Sequence, residues 1–296
     1  TFEQATLPNQ VLEDLLSLLN IVHGPIAIRS SSLLEDSHYQ PFAGIYSTYM
    51  IPHIEDQKEM MRLLRGAIKA VYASVFYRAS KNYLTATQNL IDQEKMAIVI
   101  QEVVGTKHNN LFYPTMSGVA RSLNFYPLGH EQAEDGIANI AFGLGKYIVD
   151  GGQTLRFSPK HTNHILQLST PELALKETQT HFFALDLDNL APKFSTSDAF
   201  NLLSLKVTDA RENMSLQQVA STYNFNDHRI IPGVQKAGRL LITFDRLLHY
   251  SPFPVAKTIE SLLNIGRNEM GRHVEIEFAL DVSNYEIAHF YLLQIR

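Results

Sequence analysis

The spacing of apolar residues along the chain predicts three helices. Leucines recur at helical spacing through Val11–Leu19, and apolar residues recur in the same way between Glu55 and Tyr72. A third apolar face begins after Pro254, a residue type that is common at the first position of a helix, and it ends near Gly266 or Gly271. These segments are therefore predicted to be helices.

Other apolar runs have the length and composition of strands. Pro25–Ile28 reads as a buried strand that leads into a polar arginine–serine segment, and Met96–Val104 is long enough for a strand buried on both faces. Val274–Leu280 and Ile287–Ile295 flank a turn at Ser283–Asn284, which predicts an antiparallel hairpin. The chain is therefore predicted to contain both strands and helices.

Two stretches are less regular. Residues 105–152 are rich in glycine and are expected to form hairpins and loops. Residues 168–235 are mixed and polar, and we expect them to be helical with an irregular excursion. A chain of 296 residues is long enough for one large domain or for two lobes with a sizeable core.

Composition excludes several classes of protein. There are 25 basic and 30 acidic residues, and a net charge of -5 argues against a general binder of nucleic acid or of anionic membranes. The chain has no cysteine, which excludes disulfides and thiolate metal sites and fits a cytoplasmic setting. No apolar run is long enough to span a bilayer. Both ends look cut, and we expect the chain to be part of a longer polypeptide.

The predicted hairpin at the end of the chain carries alternating polar residues. Glu275 and Glu277 are two residues apart and point to one face of their strand, as do Gln294 and Arg296 on the partner strand. If these faces coincide, carboxylate and amide oxygens suited to Mg²⁺ meet a guanidinium suited to phosphate. Alternating glutamates are also common on exposed strands, where they only provide solubility.

Two further segments are candidates for binding phosphates. Arg29 ends a strand beside serine hydroxyls, so it could clamp a phosphate, although the serines could equally cap a helix. Ser117, Gly118 and Val119 could form a hairpin loop whose amides cover phosphates. No Walker-type spacing or Gly-x-Ser-x-Gly elbow is present. The twelve histidines are scattered, so a pair at helical spacing is attributed to chance, and His23 and His130 are interpreted as structural.

In this order the segments resemble the nucleotide-binding domain of the phosphoenolpyruvate synthase and pyruvate phosphate dikinase family. The matching motifs are Ile28-Arg29-Ser30-Ser31, Glu35-Asp36, Phe42-Ala43-Gly44, Ala73-Ser74, Gln101-Glu102-Val103-Val104, Ser117 to Ala120, Gly143 to Gly151, Glu275-Ile276-Glu277-Phe278 and Gln294-Ile295-Arg296. The resemblance covers about residues 25–160 and 235–296.

The resemblance implies an ATP-grasp fold, in which two α+β lobes hold ATP between them, here truncated at the N-terminus. Residues 1–95 would be a partial first lobe and residues 96–296 the second. The implied roles are phosphoryl stabilisation by Arg29 and Arg296, magnesium binding by Glu277, Gln294 and Glu275, adenine contacts by Gln101, Glu102, Val103 and Val104, and closure over the phosphates by Ser117, Gly118 and Val119. In the family, a histidine on a separate domain accepts the phosphoryl group and passes it to pyruvate on a third.

Some residues depart from the family pattern. The family's Gly-Gly-Lys segment is not present, Lys146 stands where many members have glutamate, and Glu275 stands where aspartate is more usual. Three hypotheses remain: part of a dikinase that makes phosphoenolpyruvate, an ATP-grasp phosphotransferase with another acceptor, or a non-catalytic nucleotide-binding module. Without the lysine and the acceptor domain, the chain alone is not expected to turn over.

Overall fold

The computed structural model describes residues 2–32, 46–86, 95–188, 197–282 and 287–296. The chain divides into two compact units, each built from helices and sheets, as expected for the α+β class. Unit 1 comprises Thr1–Val103 and Leu185–Leu203, and unit 2 comprises Val104–Ala184 and Ser204–Arg296. Unit 1 thus continues beyond residue 95, where the sequence suggested a boundary.

Both helices and strands occur along the described residues. The α-helices are α1 (Asn9–Leu19), α2 (Gln57–Ser74), α3 (Arg78–Ala86), α4 (Lys146–Val149), α5 (Pro171–Glu177), α6 (Met214–Val219) and α7 (Val255–Met270). The strands are β1 (Ile26–Ser32), β2 (Tyr49–Ile51), β3 (Met96–Glu102), β4 (Thr106–His108), β5 (Leu111–Tyr113), β6 (Met116–Arg121), β7 (Ile137–Ala141), β8 (Leu155–Phe157), β9 (His181–Asp186), β10 (Leu202–Lys206), β11 (Ala220–Asn224), β12 (Arg229–Pro232), β13 (Arg239–Ile242), β14 (Glu275–Val282) and β15 (Ala288–Ile295). Shorter helical turns occupy Phe2–Gln4, Ala133–Asp135, Leu166–Leu168, Val207–Ala210 and Arg246–Tyr250.

Unit 1 is organised around a three-stranded antiparallel sheet in the order β2-β1-β3. Helix α2 begins after Asp56, whose carboxylate accepts hydrogen bonds from the amides of Lys58 and Glu59 and so caps the helix. Its apolar face packs with Ile26 and Ile28 of β1 in one buried cluster. The predicted helices Val11–Leu19 and Glu55–Tyr72 are therefore confirmed, with small shifts at their ends.

Strand β3 confirms the predicted strand but not its predicted burial. Met96, Ile98 and Ile100 face the core of unit 1 and are partly buried, whereas Ala97 and Val99 on the other face are exposed. β3 lies at the edge of its sheet in the described part of the chain, and α2 packs on one face only. The expectation that Met96–Val104 is buried on both faces is therefore wrong.

Unit 2 contains a five-stranded antiparallel sheet in the order β15-β14-β6-β7-β8. The predicted hairpin at the end of the chain forms its first two strands. Helix α7 begins after Pro254 and approaches β15 so closely at Gly266 that an added Cβ would lie 2.6 Å from Ile295. The helix ends at Gly271, whose φ of 64° is in the left-handed region that favours glycine. Gly266 is thus a packing position inside the helix.

The least regular stretch contains more strand than was expected. Residues 168–235 include the short helices α5 and α6, but they also include β9, β10, β11 and β12. The prediction of a mainly helical region is wrong, because these strands are short and mixed in polarity and so leave no clear alternation in the sequence. β11 pairs with both β12 and β13 in an antiparallel sheet.

Several expectations fall outside the described residues. The motifs Glu35-Asp36 and Phe42-Ala43-Gly44 and the turn at Ser283–Asn284 belong to this group. Among the residues that the structure describes, no helix is both long and apolar enough to cross a membrane.

Candidate functional site

A row of polar side chains crosses one face of the five-stranded sheet. Gln294 of β15 is paired with Glu277 of β14, which is paired in turn with Val119 of β6. The row continues through Asn139 of β7 to Arg156 of β8. Directly opposed residues of antiparallel strands point to the same face. The carboxylate and the amide predicted to face each other are therefore cross-strand neighbours.

A second row beside the first contains alternating charges. Glu275 of β14 lies between Arg296 and Arg121, with two backbone hydrogen bonds of 2.8 and 3.0 Å joining it to Arg296. The Nη2 group of Arg296 lies 2.9 Å from Oε1 of Glu275 and 3.2 Å from Oε1 of Glu277. Arg121 donates to the other carboxylate oxygen of Glu275. Arg296 thus holds both glutamates that were predicted as magnesium ligands, and Arg121 neutralises Glu275.

A β-bulge lies next to the pair formed by Glu277 and Gln294. Glu277 pairs with Gln294, but the next residue of β14, Phe278, pairs with Leu292, so β15 contains one extra residue at this point. Because side chains alternate along a strand, this extra residue changes which β15 positions share a face with the odd-numbered positions of β14, from even-numbered ones such as Gln294 to odd-numbered ones. His289 and Tyr291 therefore lie opposite Asp281 and Ala279.

The charged cluster is partly shielded from solvent. The side chains of Glu275, Glu277 and Arg296 are 18%, 17% and 22% exposed. Partial burial strengthens each charge interaction relative to bulk water, and it also disfavours two neighbouring carboxylates without a cation. The two glutamates therefore require a positive charge beside them, and Arg296 supplies it here.

The donor atoms of this cluster fit Mg²⁺. Two carboxylates and the amide oxygen of Gln294 are the hard oxygen ligands that this ion prefers. No group of three or more histidine, aspartate or glutamate side chains able to hold a metal occurs in the described residues. Mg²⁺ in general takes few protein ligands and completes its shell with phosphate oxygens and waters.

The opposite face of the same sheet is apolar, and it corrects one prediction. Ser117, Gly118 and Val119 lie within β6, in the middle of the sheet, and do not form a hairpin loop. Gly118 is needed because an added Cβ would lie 2.1 Å from the ring of Phe278. Ser117 donates a hydrogen bond of 2.8 Å to the carbonyl of Gly143. Val119 belongs to the polar face, beside Glu277.

Further polar residues next to the row had not been predicted from the sequence. Arg156 donates to the side chain of Asn124 at 3.1 Å and lies 3.5 Å from the buried carboxylate of Glu131. Asn139 accepts from the hydroxyl of Thr154 at 3.3 Å. These residues belong to separate strands and loops, so only the register of the sheet brings them together. In the sequence, the alternation of polar and apolar residues within each short strand would have been the only signal for these residues.

At the far end of β14 the same face carries a third carboxylate. Asp281 is only 7% exposed and accepts hydrogen bonds from the hydroxyls of Thr106 and Thr115. The imidazole of His108 lies nearby, and burial lowers its pKa, with a smaller opposing effect from Asp281. This carboxylate is held by neutral donors, in contrast with Glu275 and Glu277.

In unit 1, Arg29 and Gln101 lie on the face of the sheet that α2 does not cover, whereas Glu102 lies on the other face. Arg29 is paired with Val99, and Ala27 is paired with Gln101, so Arg29 and Gln101 point to the same face. Glu102 points to the other face, opposite Ile26. The amide of Val103 donates to the carbonyl of Pro25 at 2.8 Å.

The glycine-rich run after β7 includes a short helix. Lys146 begins α4 and pairs with Asp150 at 3.2 Å, so its charge is compensated locally. Gly143 has a φ of 87°, and a Cβ there would lie 2.8 Å from the carbonyl of Phe183. This glycine is required by the close approach of the two backbones.

The chain is similar to known proteins. The model of the family described as "Pyruvate phosphate dikinase, AMP/ATP-binding domain" matches residues 1–296. The chain is 32% identical over 129 residues to a protein of Bacillus subtilis named "Uncharacterized phosphotransferase YvkC", an alignment that covers 44% of this chain. It is 26% identical over 140 residues, 47% of this chain, to a phosphoenolpyruvate synthase of Aeropyrum pernix. The aligned segments span only 14% and 15% of these relatives.

Proposed function

Because the chain belongs to the family of the AMP/ATP-binding domain of pyruvate phosphate dikinase, we propose that it binds Mg·ATP on the polar face formed by β14 and β15. The family description supports ATP as the ligand. The fold that we propose for it is the two-lobed ATP-grasp.

The observation that carries this proposal is the cross-strand pair of Glu277 and Gln294. Their pairing puts the two residues side by side on the face of the sheet that also carries Glu275. We assign these three residues to Mg²⁺, which would bridge phosphate oxygens and reduce the repulsion between them and an incoming nucleophile.

Arginine is assigned to the phosphates. A guanidinium presents a rigid fork of donors that matches phosphate oxygens as well as carboxylates. Arg296 contacts both glutamates at 2.9 and 3.2 Å, so it is already oriented beside the proposed metal position. When other positive charge reaches the glutamates, the attraction between Arg296 and the glutamates weakens. The guanidinium group of Arg296 can then donate hydrogen bonds to a phosphate. Arg29, on the uncovered face of the unit 1 sheet, is proposed to act on the same group.

The adenine is assigned to the segment after β3. Gln101, Glu102, Val103 and Val104 provide backbone groups at the end of a strand, where a planar base can be recognised by hydrogen bonds. Gln101 is the side chain that shares a face with Arg29. Val119, on the polar face beside Glu277, is proposed to form the floor below the phosphates, whereas Ser117 and Gly118 support it from within the sheet.

The complete reaction involves the rest of the protein. We propose that the phosphoryl group passes to a histidine on another domain and then to pyruvate, because one relative is named as a phosphoenolpyruvate synthase. A different acceptor is the second candidate. It is favoured by the higher identity to a relative named only as a phosphotransferase.

The proposal is tested by removing one metal ligand without changing its shape. Glu277→Gln is expected to weaken Mg·ATP binding by about 1.5–3 kcal/mol, the range for a hydrogen bond or contact to a charged group. Binding of ATP in the presence of EDTA should change much less. Isothermal titration calorimetry measures both affinities.

Glu269→Gln provides the matched control. Glu269 is an exposed glutamate at the end of α7, and its replacement removes the same charge away from the polar face. It should leave both affinities unchanged. Equal Mg·ATP affinity of the wild type and Glu277→Gln would refute the metal assignment.

A further inference from the structure

A pocket in unit 2 is lined by basic residues that the proposed nucleotide site does not use. Its volume is about 340 Å³, and its lining includes Lys206, Arg211, Arg239 and His181. No aspartate or glutamate is among its lining residues. In a chain with a net charge of -5, this local excess of cations is unusual.

The three permanent cations are not neutralised by carboxylates. In the described ranges, neither Lys206 nor either arginine forms a salt bridge within 4.0 Å. Arg239 instead donates to the carbonyl of Leu175 at 2.8 Å, and Arg211 donates to the carbonyl of Gln235 at 3.2 Å. Backbone carbonyls orient a guanidinium without cancelling its charge, so the pocket keeps its positive potential.

Two acidic residues, Asp209 and Glu212, are close to these cations in sequence, and neither lines the pocket. Asp209 accepts a hydrogen bond of 3.0 Å from the backbone amide of Lys206 and thereby caps the helical turn Val207–Ala210. The ammonium group of Lys206 is exposed and has no hydrogen-bond partner in the described structure.

The wall of the pocket is rigid and offers hydroxyl groups. Gln179 is 4% exposed, and its side chain is fixed by hydrogen bonds to both backbone groups of Phe142 and to the carbonyl of His181. The hydroxyls of Thr180 and Thr208 belong to the same lining. Gly238 closes one side, where an added Cβ would lie 2.4 Å from the carbonyl of Tyr223.

We propose that this pocket is a second anion site, which binds a small phosphate-bearing metabolite. It shares no residue with the β14–β15 face, and it is formed by the region around α5, β9 and β13. Two oriented guanidinium groups, an ammonium and hydroxyl donors form the set that recognises a phosphate group. Three like charges around one cavity repel each other, and a multiply charged anion relieves that repulsion. The volume admits a small metabolite but is too small for a macromolecular surface.

The test uses inorganic pyrophosphate as the probe and calorimetry as the measurement, with saturating Mg·ATP present so that the proposed nucleotide site is filled. The wild type should bind pyrophosphate under these conditions. The double variant Lys206→Gln/Arg239→Gln should bind it roughly tenfold or more weakly, since contacts to charged groups are lost. Lys206→Gln alone should give a smaller loss and cannot break a described side-chain hydrogen bond.

Two controls separate this site from the nucleotide site. Lys257→Gln removes an exposed lysine from α7 and should leave pyrophosphate affinity unchanged. Arg296→Gln should weaken Mg·ATP binding but preserve the pyrophosphate event measured when nucleotide is absent. If Glu277→Gln leaves the affinity for Mg·ATP unchanged, the proposed nucleotide site is refuted. The proposed anion site is not affected by that result.

The following results would overturn the proposal. One is equal pyrophosphate affinity in the double variant and in Lys257→Gln. Another is loss of the pyrophosphate event on addition of Mg·ATP. Citrate serves as a carboxylate anion in a parallel titration, and tighter binding of citrate than of pyrophosphate would overturn the assignment to phosphate.

Discussion

The two ends of strand β14 present carboxylates on the same face but in opposite surroundings. Glu275 and Glu277 are partly exposed and are held by the guanidinium groups of Arg121 and Arg296. Asp281, four residues beyond Glu277, is almost fully buried and is held by the hydroxyls of Thr106 and Thr115. The alternation that places all three on one face does not distinguish them.

The two ends of β14 differ in what could replace the groups that hold their carboxylates. A carboxylate held by a cation at a partly open face can exchange that cation for a metal ion, because it keeps a positively charged partner. A buried carboxylate satisfied by two hydroxyls has no such exchange available, since removing its donors leaves a buried charge unpaired. We therefore assign the first end to binding and the second to stability.

The strongest test of this comparison replaces one carboxylate at each end. Asp281→Ala should lower the free energy of unfolding by about 1.5–3 kcal/mol, because two threonine hydroxyls lose a charged acceptor. Glu277→Gln should change it by less than about 1 kcal/mol, as is usual for partly exposed ion pairs. Urea unfolding followed by circular dichroism measures both. A larger loss of stability in Glu277→Gln than in Asp281→Ala would reverse the assignment.

A second test concerns the apolar face that supports the site. Gly118→Ala places a methyl group within 2.1 Å of the Phe278 ring and should cost about 1–2 kcal/mol through overpacking. Gly145→Ala is the control, because its added Cβ would meet Ser117 only at the ordinary contact distance of 3.5 Å. Thermal unfolding of both variants gives the comparison. If Gly118→Ala is as stable as the control, the segment is not a tightly packed central strand.

The smallest expected effect on the free energy of unfolding comes from Asp135, and this effect depends on pH. Partial burial opposes ionisation, but the amide of Gln132 and the side chains of Lys160 and His161 outweigh it and lower the pKa to about 2. A folded-state pKa below the usual value means that the ionised form stabilises the fold. This contribution is present above about pH 4 and is lost as the pH falls through 2.

Asp135→Asn measures that contribution. The variant should be less stable than the wild type by about 1 kcal/mol at pH 6, a value that allows for solvent screening of the pair. The gap should close as the pH falls towards 2. Asp150→Asn, which removes a more exposed carboxylate with one lysine partner, should show a smaller gap. A gap in Asp135→Asn that stays constant from pH 6 to pH 2 would contradict the role of its ionised form.

The local pattern of the sequence was sufficient for the long amphipathic elements. α1, α2 and α7 and the β14–β15 hairpin were predicted near their observed limits, because each has a strong apolar period and clear end signals such as Asp56, Pro254 and Gly271. The short strands between residues 168 and 235 were missed, since strands of four to six residues contain too few positions to establish a period.

The sequence by itself determined which residue types were available for chemistry and which of them alternate to one face of a strand. That information was enough to select Glu275, Glu277, Gln294 and Arg296. Only the tertiary structure decided that a bulge in β15 pairs Gln294 with Glu277, that Ser117–Val119 is a central strand, and that Arg121 and Asn139 join the same face. Register between strands depends on packing across the whole sheet, and a one-residue shift would turn every one of these side chains to the other face.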